Sequence, residues 1–170
     1  MLTNLVYSTT GAIHLTSALA AMLLGAAVLL MNKGTQMHKR VGYGYVVAMV
    51  LVNVTAFLIY RLFGKFGPFH IAALFSGISI LGGMLPVIFR RYVSSWRHYH
   101  YYFMNWSVVG LYAAFWAETL VRLFPMKQFW PVVVVATGLT TFAGSYLINR
   151  YKSKFLKLKS EAIPENAPIL

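Results

Sequence analysis

The sequence predicts an all-α, polytopic membrane helix bundle with five transmembrane helices. Of its 170 residues, 59% are hydrophobic and only 11% are charged, which is too apolar for an ordinary water-soluble domain. Five apolar stretches each approach the ~20 residues of helix that cross a hydrocarbon core. The basic residues lie between these stretches, where they act as topology signals.

The five predicted spans are connected by short segments, so that consecutive helices are antiparallel neighbours. No charged residue precedes Lys33, and the first stretch is therefore predicted to be a retained span rather than a cleaved signal peptide. We predict a transmembrane domain over residues 1–149 and a basic cytoplasmic tail over residues 150–170. The predicted spans are 8–31, 42–63, 67–89, 102–124 and 129–148.

The distribution of Lys and Arg predicts the orientation of the bundle. Eleven of the 15 lie on one side, in the segments 33–40 and 90–97 and in the tail. The other side has only four, which are Arg61, Lys65, Arg122 and Lys127. By the positive-inside rule the N-terminus is outside and the C-terminus is cytoplasmic. The net charge of +12 therefore predicts contact with a lipid bilayer and no nucleic-acid partner.

Small residues recur at four-residue spacing in two predicted spans. Ser17, Ala21 and Gly25 form such a stripe in the first span, and the third contains the pairs Ala73/Gly77 and Ser79/Gly83. Small residues allow helix backbones to approach closely in lipid, where no hydrophobic force drives helices together. These stripes are predicted packing faces.

Polar residues inside spans are costly and point to function. Glu118 falls within the fourth span, and Arg122 follows four residues later on the same helix face, in the favourable order for a helical ion pair. We expect the two side chains to neutralise each other. The alternative is a proton or cation site that also includes Arg61 and Asn53.

The chain contains a candidate internal repeat. Arg61-Leu-Phe ends the second span and Arg122-Leu-Phe ends the fourth, 61 residues later. The offset from His14 to His70 is 56 residues, and that from His38 to His100 is 62. We predict that helices 1–2 recur as helices 3–4 in the same orientation, which relates the two halves by an axis along the membrane normal.

Across such an axis, equivalent histidines would face each other. A b-type haem needs two imidazoles from different helices on opposite sides of one iron. The sequence therefore predicts an outer site formed by His14 and His70 and an inner site formed by His38 and His100. Haem b is the predicted cofactor, and a redox partner or a quinone is the predicted partner. The chain has no cysteine, which excludes iron–sulfur clusters and thiolate zinc sites.

The histidines also carry a family resemblance. His14 is followed by Lys33-Gly34-Thr35 and His38-Lys39, with Gly42 and Tyr45, then by His70, and then by His100 with Met104. Over residues 8–124 this pattern resembles predicted bacterial multi-pass membrane proteins that are grouped as a domain of unknown function. The resemblance implies the bacterial inner membrane and favours His100 over His98 as the motif histidine. It implies no established activity.

Three other hypotheses remain beside the haem protein. The first is a transporter of ions, protons or small solutes with an outer-leaflet site of His14, His70, Glu118, Arg61 and Asn53. The second is a zinc enzyme with three histidine ligands and an open position for water. The third is a structural role, in which each histidine is an ordinary interfacial side chain.

Overall fold

The computed structural model describes residues 8–60 and 62–157, with the side chains of Lys154 and Lys157 outside the description. The described residues form helices and turns without a strand, which confirms the all-α prediction. Arg61 and the tail residues 158–170, all part of the predictions above, lie outside the described residues. The five α-helices are α1 (Thr9–Leu30), α2 (Gln36–Ala56), α3 (Pro68–Ile88), α4 (Trp96–Leu120) and α5 (Phe129–Lys157), with a 3₁₀ turn at Met126–Gln128.

Local capping sets where the first three helices begin. The Ser8 hydroxyl accepts a hydrogen bond from the Gly11 amide and starts α1. The Thr35 hydroxyl accepts one from the His38 amide and starts α2. Gly67 precedes Pro68 at the first position of α3, where a missing N–H costs nothing. His38 and His70 consequently occupy the same position, the third residue of their helices.

The helices differ from the predicted spans mainly at their ends. Helix α2 begins at Gln36 rather than at residue 42, and α4 begins at Trp96 rather than at residue 102. Helix α2 also ends early, at Ala56. Helix α5 continues to Lys157, so the first residues of the predicted tail are helical. The spans were predicted from apolarity, whereas capping and backbone hydrogen bonds set helix ends and extend into polar sequence.

Three of the helical segments are long and apolar enough to cross a membrane. These segments are Thr9–Leu30, Pro68–Ile88 and Met126–Ser153. Helices α2 and α4 are also long, but their first turns are polar, with Lys39 and Arg40 in one and Arg97 in the other. The protein is therefore a five-helix bundle with three candidate membrane spans among the described residues.

Helices α1 to α4 form a ring in chain order. Helix α1 packs mainly against α2, and α3 against α4, while smaller contacts join α2 to α3 and α4 to α1. Helix α5 packs on the outside of the ring against α4. Within the described residues, the diagonal pairs α1/α3 and α2/α4 have no close backbone approach. Side chains therefore fill the centre, and the core consists of Ala21, Tyr45, Ala48, Met49, Ile80, Met104, Val108 and Leu111.

The predicted small-residue face of α1 is a packing face. Ser17, Ala21 and Gly25 are all buried. A Cβ atom at Gly25 would lie 3.0 Å from the Tyr45 ring, so glycine allows this ring to pack closely against α1. In α3, Ala73 and Gly83 are buried as predicted, whereas Gly77 and Ser79 are only half-buried.

The outward surface of the bundle is strongly apolar. Leu23, Phe75 and Phe142 are 74%, 68% and 76% exposed, respectively, and many other large apolar side chains are exposed on all five helices. A soluble monomer rarely exposes so much contiguous apolar surface. This surface is what a bilayer would cover.

A substitution at Gly144 tests how closely α5 packs against α4. A Cβ atom at Gly144 would overlap Val109, with 2.6 Å to its Cγ1 atom, whereas a Cβ at Gly138 on the same helix would meet nothing within 4 Å. We expect Gly144→Ala to lower the free energy of unfolding in detergent by ~1–3 kcal/mol through overpacking. The matched control Gly138→Ala should be neutral or stabilise by up to ~1 kcal/mol. Equal effects of the two substitutions in thermal unfolding would contradict this close approach.

Candidate functional site

His38 on α2 and His100 on α4 face each other at one end of the bundle. Their ring centroids are 6.4 Å apart and the rings are nearly perpendicular, at 81°. This is the end at which the predicted topology has its basic loops, and both residues precede the predicted spans that begin at 42 and 102. We call His38, His100 and the neighbouring Lys33 the inner cluster.

A backbone hydrogen bond fixes the tautomer of His100. Its Nδ1 atom lies 2.9 Å from the carbonyl oxygen of Gly83 on α3. A carbonyl oxygen can only accept, so Nδ1 carries the proton and Nε2 has a free lone pair when the ring is neutral. Histidines that bind a metal commonly donate the N–H group of their other ring nitrogen to a backbone carbonyl in this way, which also orients the ring.

His38 is held by its backbone rather than by its ring. Its amide donates to the Thr35 hydroxyl at 3.1 Å, while its Nδ1 atom is buried and has no hydrogen-bond partner among the described residues. One helical turn later, Gly42 leaves open space, because a Cβ there would meet nothing within 4 Å. The inner cluster therefore contains a buried ring nitrogen that has no hydrogen-bond partner among the described residues.

Lys33 sets the electrostatics of the inner cluster. Its ammonium donates to the carbonyl oxygens of Val28 and Leu29 at the end of α1, at 2.6 and 2.8 Å. Burial of this ammonium lowers the pKa of Lys33 to about 8. Burial, and then the charge of Lys33, lower the pKa of His38, to which His100 adds a smaller effect. Burial also lowers the pKa of His100, with a further contribution from Lys33, although the bond to Gly83 opposes this. Both pKa values therefore lie below the ordinary value of 6.5, which favours the neutral form of each ring at pH 7.

The opposite end of the bundle has a separate polar group, which we call the outer cluster. The His14 Nδ1 atom lies 2.9 Å from the Thr55 hydroxyl, and its Nε2 atom lies 3.9 Å from a carboxylate oxygen of Glu118. Arg122 donates to the other oxygen of Glu118, as its spacing predicts. Thr55 also donates to the Leu51 carbonyl at 2.6 Å, so His14 acts as the donor to Thr55. The outer cluster joins α1, α2 and α4.

His70 does not belong to the outer cluster. It is 4% exposed, and its ring is packed against those of Phe57, Tyr60 and Phe66. Its Nδ1 atom accepts a hydrogen bond from the Gly67 amide at 3.1 Å, so the neutral ring carries its proton on Nε2. This Nε2–H group is buried without a partner among the described residues. The neutral rings of His70 and His100 are thus opposite tautomers, with the proton on Nε2 in His70 and on Nδ1 in His100.

The structure thus brings together one of the two predicted histidine pairs. His38 and His100 are neighbours, whereas the rings of His14 and His70 make no contact. Asn53 lies about 200° around α2 from Thr55 and faces away from the outer cluster. Arg61 is outside the described residues. Among the residues that the structure describes, no three side chains of the metal-binding types converge on one point.

Sequence reasoning missed three contacts, two in these clusters and one in the core between α2 and α4. The carbonyl of Gly83 and the hydroxyl of Thr55 left no signal, because one is a backbone atom and the other belongs to an ordinary helical residue. The hydrogen bond between Tyr45 and Ser107, 2.8 Å long, had a signal. These residues are 62 apart, the same offset as His38 and His100, and they lie seven residues further along the same two helices.

Comparison with sequence families gives one match. A family described as "Predicted membrane protein (DUF2306)" matches residues 11–155, which is most of the chain. The chain belongs to this family. Family membership and the apolar surface together make it a membrane protein, and they agree with the resemblance found in the sequence. No curated protein and no solved structure matches the chain.

From the pKa shifts in the inner cluster we predict that the free energy of unfolding of this protein depends on pH. In the folded protein the pKa values of His38 and His100 lie below the ordinary value of 6.5. As the pH falls through 6.5, the unfolded chain therefore binds more protons than the folded protein does. The free energy of unfolding should therefore fall on acidification through this window and become independent of these groups above it. Thermal unfolding, followed by tryptophan fluorescence in detergent, measures this slope.

Two variants and a control identify the groups responsible. His38→Gln and His100→Gln should each flatten the slope, because glutamine does not titrate. His98→Gln is the matched control, since His98 is exposed two residues from His100. A slope that neither His38→Gln nor His100→Gln changes would contradict the assignment.

Proposed function

We propose that this protein is a membrane electron-transfer protein that binds one b-type haem between His38 and His100. The observation that carries the proposal is the pairing of these two rings across the centre of the bundle, from diagonal helices. Two in-line Fe–N bonds of ~2.0 Å place ligand nitrogens ~4 Å apart and ring centroids roughly 6 Å apart. The centroid distance of 6.4 Å agrees with this requirement.

The chemistry of the two rings supports iron in a macrocycle better than a bare metal ion. A bare ion such as zinc takes three or four protein ligands, whereas the iron of haem brings four nitrogens and needs only two more. The lone pair of His100 on Nε2 and the unpartnered Nδ1 of His38 are two nitrogens available to it. The nearby basic residues Lys33, Lys39 and Arg40 would attract the haem propionates.

The proposal does not extend to the predicted outer haem. Ligation through Nε2 of His70 would require a proton on Nδ1, which would then oppose the Gly67 N–H group. His14 already interacts with Thr55 and Glu118. We therefore propose one haem, at the inner end.

The outer cluster favours a second candidate function, proton or ion transport. Glu118 is the only acidic residue among the described residues, and it is paired with both Arg122 and His14. An acid in this position within a membrane protein is costly and points to function. A proton could move between His14 and Glu118 without a change of fold.

The number of membrane spans, their orientation and the internal repeat are also part of this proposal. We infer that all five helices cross the bacterial inner membrane, because α2 and α4 pack lengthwise against candidate spans and expose apolar side chains such as Val47 and Trp116. The N-terminus would be outside and the C-terminus cytoplasmic. The ring order and the 62-residue offset of Tyr45 and Ser107 support a same-orientation repeat of α1–α2 and α3–α4.

The absence of cysteine allows a direct test of topology. Ser94 and Lys127 are exposed in the turns before α4 and α5. In intact cells, a membrane-impermeant maleimide should label Lys127→Cys, whereas Ser94→Cys should react only after permeabilisation. The reverse pattern would invert the orientation, and labelling of both in intact cells would refute the five-span topology.

An optical spectrum tests the haem. The protein, purified after expression with added haem precursor, should show a Soret band and, when reduced, an α-band. His38→Ala and His100→Ala should each abolish both bands, while elution as a folded species shows that the bundle persists. His98→Ala and His70→Ala are controls that should retain them. A colourless parent protein, or loss of the bands in His70→Ala alone, would overturn the inner-haem proposal.

A further inference from the structure

Helix α5 leaves an open groove beside α1. It packs on α4, where Gly144 allows close approach to Val109, but among the described residues it has no close backbone contact with α1. The resulting groove has a volume of about 540 Å³ and is lined almost entirely by apolar side chains of α1, α4 and α5. An apolar void of this size inside a bilayer does not stay empty, because its walls would lose their van der Waals contacts.

Side-chain contacts lie near both ends of the groove. On the Lys33 side, the Lys33 ammonium lies 5.0 Å from the centroid of the Phe155 ring and thereby links α1 to α5. On the other side, the Tyr112 hydroxyl donates to the Met22 carbonyl at 3.1 Å and links α4 to α1. The groove therefore begins at the level of the basic loops and extends toward the middle of the bundle.

A cation is hydrogen-bonded to one of the residues that line the groove. Leu29 lines the groove, and its carbonyl oxygen accepts a hydrogen bond from the Lys33 ammonium. The only acid among the described residues, Glu118, lies in the outer cluster at the opposite end. Lys33 therefore has no acidic neighbour in the part of the chain that the structure describes, and burial lowers its pKa to about 8. A bound anion would restore the stability of this ammonium.

We propose that the groove is a binding site for one anionic phospholipid from the leaflet on the Lys33 side, with an acyl chain in the groove and its phosphate at the Lys33 ammonium. The charge of Lys33 and the apolar lining match the two parts of such a lipid. The groove is lined by neither His38 nor His100, and Lys33 is the one residue that this site shares with the inner cluster.

The charge beside the groove favours an anionic lipid over a second copy of the chain. On α5 the groove extends from Leu139 to Leu147, which corresponds to ~12 Å at 1.5 Å per residue. The described residues of a second copy offer only one acid for Lys33, Glu118, which lies at the opposite end and is paired with Arg122. An anionic lipid supplies both an apolar chain for the lining and a negative charge for Lys33.

Native mass spectrometry of the detergent-purified protein tests this site with defined lipids. The probes are phosphatidylglycerol, which is anionic, and phosphatidylcholine, which has the same acyl chains and no net charge. The parent protein should retain one phosphatidylglycerol at least several-fold more strongly than phosphatidylcholine. Lys33→Gln keeps hydrogen-bond donors for Val28 and Leu29 but loses the charge, and should abolish this preference while some lipid still binds.

A second pair of variants tests the groove itself. Ala143 is an exposed residue of its lining, so Ala143→Phe should fill the groove without disturbing the core and should reduce retention of both lipids. Val135→Phe, on an exposed part of α5 outside the groove, is the matched control, and Lys127→Gln is the control for charge. Both controls should behave like the parent protein.

Three outcomes would overturn the proposal. One is equal retention of the two lipids by the parent protein, and another is an unchanged preference in Lys33→Gln. The third is a dimer that Ala143→Phe dissociates, which would assign the groove to a second copy of the chain. Haem absorbance of Ala143→Phe, recorded in parallel, separates this site from the inner cluster, since that variant should keep its spectrum.

Discussion

The packing of Tyr45 at the centre of the ring is the interaction on which the rest of the bundle depends. Its ring lies against Gly25 of α1, and its hydroxyl is hydrogen-bonded to Ser107 of α4, so one side chain of α2 joins three helices. Interhelical hydrogen bonds in membrane proteins contribute only ~0.6 kcal/mol on average. The importance of this contact is therefore geometric. It fixes the rotation of α2 and α4 so that residues seven positions earlier, His38 and His100, also point toward the axis.

The two ends of this axis have different chemistry, although the sequence offers histidines at both. At the inner end, a backbone carbonyl leaves the Nε2 lone pair of His100 free. At the outer end, a backbone amide occupies the Nδ1 lone pair of His70. The free Nε2 lone pair of His100 could bind a metal, whereas the Nε2 atom of His70 carries a proton. The hydrogen-bond partners of the two histidines thus differ between the two ends, which is why our proposal contains one haem rather than two.

The charged residues are also distributed differently between the inner and outer ends of the bundle. Basic groups collect at the inner end, where burial lowers the pKa values of Lys33, His38 and His100 and the charge of Lys33 lowers those of the two histidines further. The single described acid, Glu118, is at the outer end, where it is paired with Arg122 and lies 3.9 Å from the His14 ring. An inner end with excess positive charge is suited to ligands that bring negative charge, such as a haem propionate or a lipid phosphate. The outer end is already balanced and is suited to proton exchange.

The sequence alone determined the class of this protein, its five helices and the pairing of His38 with His100. The length of the apolar stretches, the distribution of charge and the offset of the repeat are local or periodic properties of the sequence, and they can be read without knowledge of how the helices pack. The tertiary structure decided the rest. The outer histidines are apart because His14 lies close to Glu118 on another helix, a contact that sequence spacing does not encode, while the His70 ring accepts a hydrogen bond from Gly67 at the start of its own helix. The ends of α2 and α4, the tautomer of His100 and the groove beside α5 likewise depend on backbone groups and helix contacts, which residue types do not encode one by one.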